Sequence, residues 1–463
     1  MELEIINPAT GKSIGRVTAD SPETIAQKYS VARTAQPAWQ QLGLAKRLEI
    51  IRRFRDRVEK DMEEAALLLT REVGKPIAQS RNELKGLLAR LDFFLTETEK
   101  TIATETVFRD GTALVEEIEH EPLGVIANIS AWNYPWFVGS NVYLPALLTG
   151  NAVLYKPSEF ALLSGLTMAR YLHEAGVPKD IFAVIVGRGE AGALLLEQPI
   201  DGVFFTGSVA TGRKIAEAAA KKFIKVQLEL GGKDPVYVTD DVDVKAAAEA
   251  TADGAMYNTG QSCCSVERLY VHEKIYDAFI DHFVQTVHGF RMGDPEQADT
   301  YIGALTRGKA AYDFLKYQID DALSKGGRLL CGGRLAPRKG QGEGGYFLEP
   351  TVIANVNHSM SLMHEESFGP VIGVMRVKDD AEAQQLMNDT EYGLTAAVYC
   401  RDEQRARRIL QGVNAGSAYI NCCDRVSPRL PWSGRRNSGV GLTLSKYGIE
   451  AFTRPKAWHV KRA

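Results

Sequence analysis

The chain has 463 residues, 45% of them hydrophobic and 24% charged, with a formal net charge of -3 at pH 7. That length implies two or three α/β-sized domains, and the near-neutral charge excludes the footprint of a nucleic-acid binder. No apolar run reaches the roughly 20 residues that a membrane span needs, and residues 1–8 lack the basic and apolar regions of a signal peptide. Six cysteines, at 263, 264, 331, 400, 422 and 423, show no C-x-x-C spacing. They read as reduced thiols of a cytoplasmic protein.

Residues 1–20 read as an extended segment with a turn at Asn7-Pro8 to Gly11. Apolar spacing then predicts two long amphipathic helices, roughly 45–72 and 79–103, the first stopped by Gly74-Lys75-Pro76. Acidic Glu49 and Asp56 interrupt the basic stretch 46–57, which reads as the solvated face of the first helix. Residues 113–119 alternate in strand fashion and predict a hairpin arm with the segment before them.

From 123 to 240 strand and helix alternate, with strands expected at 125–130, 152–156, 182–186, 202–206, 226–230 and 236–238. The pattern argues for an α/β fold with a doubly wound parallel sheet, an arrangement suited to nucleotides. A second α/β series runs to about 420, with helices near 243–256, 274–288, 309–325 and 402–411. Its strands are expected near 268–272, 371–377, 395–400 and 416–421. The tail from about 445 reads as extended and ends in Ala457-Trp458-His459-Val460. An apolar extended tail needs a partner strand, which points to a homo-oligomer.

Three short segments carry the chemistry. Cys263 follows Asn258-Thr259-Gly260-Gln261-Ser262, whose small residues let the backbone approach a ligand. A thiol with a pKa near 8.5 needs an activating environment to act as nucleophile. Glu229 stands at a strand end before Gly231-Gly232, placed to serve as a general base for water. Asn133, in Ala131-Trp132-Asn133-Tyr134-Pro135, offers an amide N–H to a developing oxyanion. Taken singly, each has a bland reading: a buried cysteine, a turn glutamate, a helix-capping asparagine.

Together and in order, they resemble the aldehyde dehydrogenase superfamily over nearly the whole chain. Ile6-Asn7-Pro8-Ala9-Thr10-Gly11, Trp132-Asn133, Lys156-Pro157-Ser158-Glu159, Phe205-Thr206-Gly207-Ser208 and Glu229-Leu230-Gly231-Gly232 stand in family order. Gly260-Gln261-Ser262-Cys263, Glu365-Glu366-Ser367-Phe368-Gly369-Pro370 and Ser438-Gly439 continue it. The resemblance implies that Cys263 attacks an aldehyde, that Asn133 and the Cys263 backbone N–H hold the oxyanion, and that hydride passes to a nicotinamide. Glu229 then activates the water that hydrolyses the thioester. Because the CoA-acylating branch typically lacks this glutamate, hydrolysis to free acid is implied over acyl transfer. A Cys-dependent amidohydrolase usually needs a histidine base, and no histidine lies near Cys263 in sequence except His272, on an expected strand. The intact trio speaks against a catalytically silent, cofactor-binding relative.

The same resemblance implies two doubly wound domains, Rossmann-like and catalytic, with a β-arm for oligomerisation. The expected division is 1–96 with 118–229 for NAD(P), 230–420 for catalysis, and 97–117 with 421–463 for the arm and tail. Lys156 and Glu159 are implied to grip the adenine ribose, beside Trp132 and Ser158. A carboxylate there suits NAD over NADP, though NADP remains possible. Gly207 and Ser208 would lie by the pyrophosphate, Glu366 by the nicotinamide ribose, and Phe368 against the nicotinamide. Gly187-Arg188-Gly189-Glu190-Ala191-Gly192 spells the dinucleotide fingerprint, but no acidic residue follows at the expected distance, so it reads as a turn beside the cofactor.

The partner is a small-molecule aldehyde, in a funnel expected from Tyr134, Val138, Asn141, Tyr257, Ser262, Cys264 and the loop 422–432 with Trp432. Betaine-aldehyde relatives carry tryptophan where Asn141 stands, and some succinic-semialdehyde relatives carry arginine. Arg425 or Arg429 in the funnel loop could bind a substrate carboxylate, which would make the enzyme semialdehyde-specific. No metal is implied. A homodimer or homotetramer is expected.

Overall fold

The computed structural model describes residues 1–336 and 345–461. Val125–Ile129 and Ala152–Lys156 are buried at every position, as apolar strands must be when helices cover both faces of their sheet. They form the centre of a six-stranded sheet ordered Gly439–Val440, Lys225–Glu229, Gly202–Thr206, Val125–Ile129, Ala152–Lys156 and Phe182–Val184. All neighbours are parallel except Gly439–Val440, which runs antiparallel to Lys225–Glu229. The chain moves outward from Val125–Ile129 to Phe182–Val184, then returns to the other side with Gly202–Thr206. Connections therefore diverge between the neighbouring strands Val125–Ile129 and Gly202–Thr206 and open a crevice at their carboxyl ends, where doubly wound sheets hold ligands.

A seven-stranded sheet is ordered Arg328–Cys331, Thr351–Ala354, Val371–Val377, Arg268–His272, Pro235–Val238, Thr395–Tyr399 and Ser417–Ile420. It is parallel apart from Arg328–Cys331. The helices Val244–Met256, Tyr276–Gly289, Lys309–Ser324 and Glu403–Gln411 stand where apolar spacing puts them. Arg328–Cys331, Thr351–Ala354 and the helix Asp380–Asn388 are additions that the pattern did not single out.

The amino-terminal helical region differs from expectation in two ways. Pro22–Gln41 is a helix, capped by Ser21, whose Oγ accepts from Thr24 N at 3.2 Å, with Pro22 at its first position. Its buried face is sparse (Ile25, Ala32, Gln36, Trp39), which hides its period. The expected 45–72 helix is two, Leu44–Lys60 and Met62–Val73. Asp61 leaves helical geometry between them (φ -104°, ψ 22°), its carboxylate 2.8 Å from Arg57. The basic stretch is largely ion-paired surface, as with Arg53 and Glu49 at 2.9 Å. Arg47 instead is buried, donating to the carbonyls of Leu148, Trp39 and Gln40.

The tail finds its partner strand within its own chain. Thr453–Lys461 pairs antiparallel with Leu114–Pro122, which pairs with Glu105–Asp110. Ahead of it, Ser445–Glu450 is a helix where an extended run was expected, and Gly439–Val440 belongs to the six-stranded sheet. The arm sheet thus draws on residues 453–461 of the tail; 462 and 463 lie outside the described residues. Among the described residues no helix is long and apolar enough to cross a membrane.

Candidate active site

A cleft of about 630 Å³ opens at the carboxyl ends of the six-stranded sheet and reaches across to the second. Cys263, Glu229 and Asn133 all line it. The loop before Cys263 is held under strain: Asn258, Thr259 and Gly260 are consecutively left-handed, at φ 54°, 59° and 68°. Non-glycine residues persist there only when neighbours over-determine them. Here Asn258 Nδ2 donates to the carbonyls of Gln261 (2.9 Å) and Asn133 (3.3 Å). Thr259 Oγ1 accepts from Gly303 N at 2.9 Å, and Gln261 Oε1 from Thr306 N at 3.0 Å. The result is a half-buried thiol on a rigid loop.

Glu229 ends its strand, paired in register with Thr206 on one side and Gly439 on the other. Its Oε1 accepts from Gln227 Nε2 at 2.8 Å and Thr443 Oγ1 at 2.9 Å. Oε2 is enclosed without a partner. Burial lifts the carboxyl to about 8, against the lowering effect of the two donors. A carboxyl poised near neutrality, with one oxygen free, suits proton transfer.

Asn133 follows the strand Val125–Ile129 and is anchored from beneath. Lys75 Nζ donates to the Asn133 carbonyl at 2.7 Å and pairs with Glu83, both charges fully enclosed. Glu83 also accepts from Trp136 N at 2.9 Å. Burial pushes the Glu83 carboxyl up and the Lys75 ammonium down, each opposed by the other's charge.

The far end of the cleft is built for an elongated anionic ligand. Gly207 and Ser208 lead into the helix Val209–Ala220, where Ser208 Oγ caps by accepting from Thr211 N at 3.3 Å. Backbone N–H groups and the helix dipole favour phosphate there. Trp132, Lys156, Ser158, Glu159, Gly207, Ser208, Glu366 and Phe368 all line the cleft. Gly189 and Gly192 line it too, at the start of Gly189–Glu197, beside rather than beneath the Ser208 helix. Phe368, at φ 53°, meets Trp132 edge-on with ring centroids 5.5 Å apart. Glu366 accepts from Gly232 N at 3.0 Å, and a Cβ on Gly231 would stand 2.3 Å from its carboxylate oxygens. These groups, the helix terminus and the cleft's volume fit a nicotinamide dinucleotide.

The model of the aldehyde dehydrogenase family matches residues 1–458. The chain belongs to the aldehyde dehydrogenase family. It is 36% identical over 461 residues to a betaine aldehyde dehydrogenase of Cereibacter sphaeroides, covering 99% of this chain and 93% of that one. Its structure is similar to the NAD-dependent aldehyde dehydrogenase of Sinorhizobium meliloti (TM-score 0.95, 34% identity, 100% of this chain and 91% of that one). It is equally similar to the lactaldehyde dehydrogenase of Escherichia coli (TM-score 0.95, 32% identity, 100% and 96%). An aldehyde dehydrogenase of this family oxidises an aldehyde with NAD(P), which is this chain's activity class.

At the substrate end of this family member, Val138, Asn141 and Trp432 line the cleft. The other expected funnel residues do not. Tyr134 stacks on Phe137 (5.7 Å between centroids), with Lys75 Nζ 3.8 Å from its ring centroid. Tyr257 accepts a hydrogen bond from Asn82 at 3.2 Å, and Cys264 is buried. Arg425 and Arg429 are exposed and outside the cleft lining.

Sequence reasoning passed over several residues of the site. Asp424 accepts from Ser262 Oγ and Cys264 Sγ, each at 3.1 Å, and burial lifts it to about 6. Thr443, Gln227, Lys75, Glu83 and Arg90 complete the group. Lys75 lay in a segment read as a helix stop, and Glu83 and Arg90 on a helix read as amphipathic. Nothing in their spacing points at Cys263, which is far away in sequence.

Proposed function

We propose that this dehydrogenase converts its aldehyde to the free acid through a thioester on Cys263. The observation that carries this reading is the common lining of one cleft by Cys263, Asn133, Glu229 and the eight cofactor-type residues. Cys263 Sγ adds to the carbonyl carbon, and the oxygen that gains charge is held by the Asn133 amide and the Cys263 backbone N–H. Removing one such donor typically costs about 2.7–4 kcal/mol of barrier. NAD(P), when bound, supplies the hydride acceptor that brings the aldehyde carbon to the acid level. Glu229 then takes a proton from water at its unpartnered Oε2, and the hydroxide attacks the thioester and expels the Cys263 thiolate.

Lys156 and Glu159 hold the adenine ribose, Ser208 the pyrophosphate and Glu366 the nicotinamide ribose. The Glu159 carboxylate repels a 2′-phosphate and favours NAD. Residues 1–96 with 118–229 act as the cofactor domain, and 230–420 as the catalytic one. The arm's outer strand, Glu105–Asp110, exposed at every position, supports assembly into a homodimer or homotetramer. Six unpaired cysteines support a reducing, cytoplasmic setting.

The test is reduced-nicotinamide absorbance with NAD and NADP over a panel of aldehydes, for native protein, Cys263→Ala and Glu229→Gln. Turnover in the native protein should vanish in Cys263→Ala. Glu229→Gln should give a single burst of reduced cofactor followed by a stall. Cofactor binding with no turnover of any aldehyde overturns the reading.

A further inference from the structure

Arg90 is 3% exposed on the helix Ile77–Thr101, yet no carboxylate pairs with it among the described residues. Its Nε donates to Asn141 Oδ1 at 3.0 Å and its Nη1 to the Gly86 carbonyl at 3.2 Å. Its guanidinium lies 3.8 Å from the centroid of the Phe137 ring. Glu83, a carboxylate whose charge acts on it, is already hydrogen-bonded to Lys75 and Trp136 N. Burial lowers the guanidinium to about 10, so it remains a cation at neutral pH. An enclosed cation with no carboxylate in hydrogen-bond contact is costly.

The contact with Asn141 has a definite consequence. A guanidinium only donates, so the atom of Asn141 that meets it must be the carbonyl oxygen. The amide NH2 is thereby turned away from Arg90, and it makes no hydrogen bond to the described residues. Asn141 lines the cleft near Cys263. With its oxygen against a cation, its N–H bonds are polarised and become stronger donors. Of the other ionisable groups at this end, Asp424 is held by Ser262 and Cys264, Lys75 and Glu83 are paired with each other, and none of the three lines the cleft.

The geometry points to Arg90 and Asn141 as the specificity device of this enzyme: Asn141 donates to an acceptor oxygen on the substrate chain, and Arg90 fixes and polarises that donor. The preferred aldehydes then carry a hydroxyl or carboxylate oxygen a few atoms from the carbonyl. An ammonium is itself all donors and a quaternary ammonium has neither donor nor acceptor, so both meet Asn141 unfavourably, under the field of a buried cation. The inference rests on the dehydrogenase reading above and adds the substrate class. Arg90 acts through Asn141 and is a positioning residue.

Three aldehydes of equal chain length decide it: butanal, 3-hydroxypropanal and 3-aminopropanal, compared by kcat/KM with NAD. The native enzyme should favour 3-hydroxypropanal over butanal by about tenfold or more, and over 3-aminopropanal by about a hundredfold. Asn141→Leu should bring the hydroxyl-to-methyl ratio to one or below. Asn141→Asp, which pairs with Arg90 and presents only acceptors, should shift preference towards 3-aminopropanal, a change of sign that a purely structural role would not produce. Arg90→Lys should retain part of the native ratio and Arg90→Met should lose it, with cofactor binding reporting that each variant folds. A native enzyme that turns over butanal as well as 3-hydroxypropanal, or a ratio unchanged in Asn141→Leu, overturns the inference and leaves the dehydrogenase reading standing. Turnover of none of the three overturns the inference, and only failure across the wider aldehyde panel overturns the dehydrogenase reading as well.

Discussion

Thr443 donates its hydroxyl hydrogen to Oε1 of Glu229 across 2.9 Å, and they meet because Gly439–Val440 runs antiparallel beside Leu228 and Glu229. Burial sets Glu229 at about 8 while this bond and that of Gln227 pull it down. Thr443→Val should therefore raise it further. The rising acid limb of the kcat profile, measured where thioester hydrolysis limits turnover, should move up by about one pH unit, equivalent to about 1.4 kcal/mol. Thr443→Ser should restore the native limb. A limb that stays in place in Thr443→Val would show that the bond does not tune the base.

The same group links stability to pH. The folded carboxyl keeps its proton to about 8 against an ordinary value of 4.5, so the native state binds more protons than the unfolded chain between those limits. Stability from this group is undiminished below about 4.5 and falls as pH rises to about 8. Glu229→Gln should consequently be more stable than native protein at pH 8, with the gap closing near pH 5. Denaturant unfolding at both values checks this; a gap independent of pH would contradict it.

Lys75 and Glu83 form an enclosed ion pair under Asn133. Breaking such a pair from one side leaves an uncompensated charge and costs about 3–5 kcal/mol. Lys75→Met and Glu83→Leu should each lose that much, and the double variant much less than their sum. Because Lys75 also holds the Asn133 carbonyl, the double variant should recover stability without recovering kcat. Recovery of both would mean that the pair serves folding alone.

Gly260 packs where a Cβ would come within 2.2 Å of the Gly369 carbonyl oxygen, at a φ of 68°. Gly260→Ala must displace either the Cys263 loop or the segment carrying Phe368. It should cost about 2 kcal/mol or more in stability and slow alkylation of Cys263 by iodoacetamide. Native reactivity in a fully folded variant would show that the loop has slack.

Glu267 accepts from Lys233 Nζ at 2.5 Å, Ser367 N at 2.9 Å and Phe368 N at 3.1 Å, tying the loop that carries Glu366 and Phe368 to the segment after Glu229. Glu267→Gln should raise the KM for NAD about tenfold, as expected for one lost charge-assisted bond. A KM within twofold of native would show that the loop keeps its place without the ion.

Most strands of both sheets were legible along the chain because apolar runs bounded by glycines are local signals, and 152–156 and 202–206 fall at their expected limits, whereas the short Arg328–Cys331, Thr351–Ala354 and Gly439–Val440 were not. Pro22–Gln41 was not legible, since four buried positions over five turns leave little period to detect. Cys263, Asn133 and Glu229 stood out because each sits in a short segment of unusual composition at the end of a strand or helix. Asn141, by contrast, could be placed on the funnel but not oriented.

What the sequence by itself determined is therefore the family, the fold class and the candidates for the groups that do the chemistry, all of which are written in contiguous residues. What only the tertiary structure decided is how those groups are tuned. Thr443 reaches Glu229 from 214 positions away, Lys75 reaches Asn133 from 58, and Arg90 reaches Asn141 from 51. Burial and hydrogen bonding act through space, and in this fold the residues that set a charge, a proton or an amide's direction come from elements that no local pattern connects.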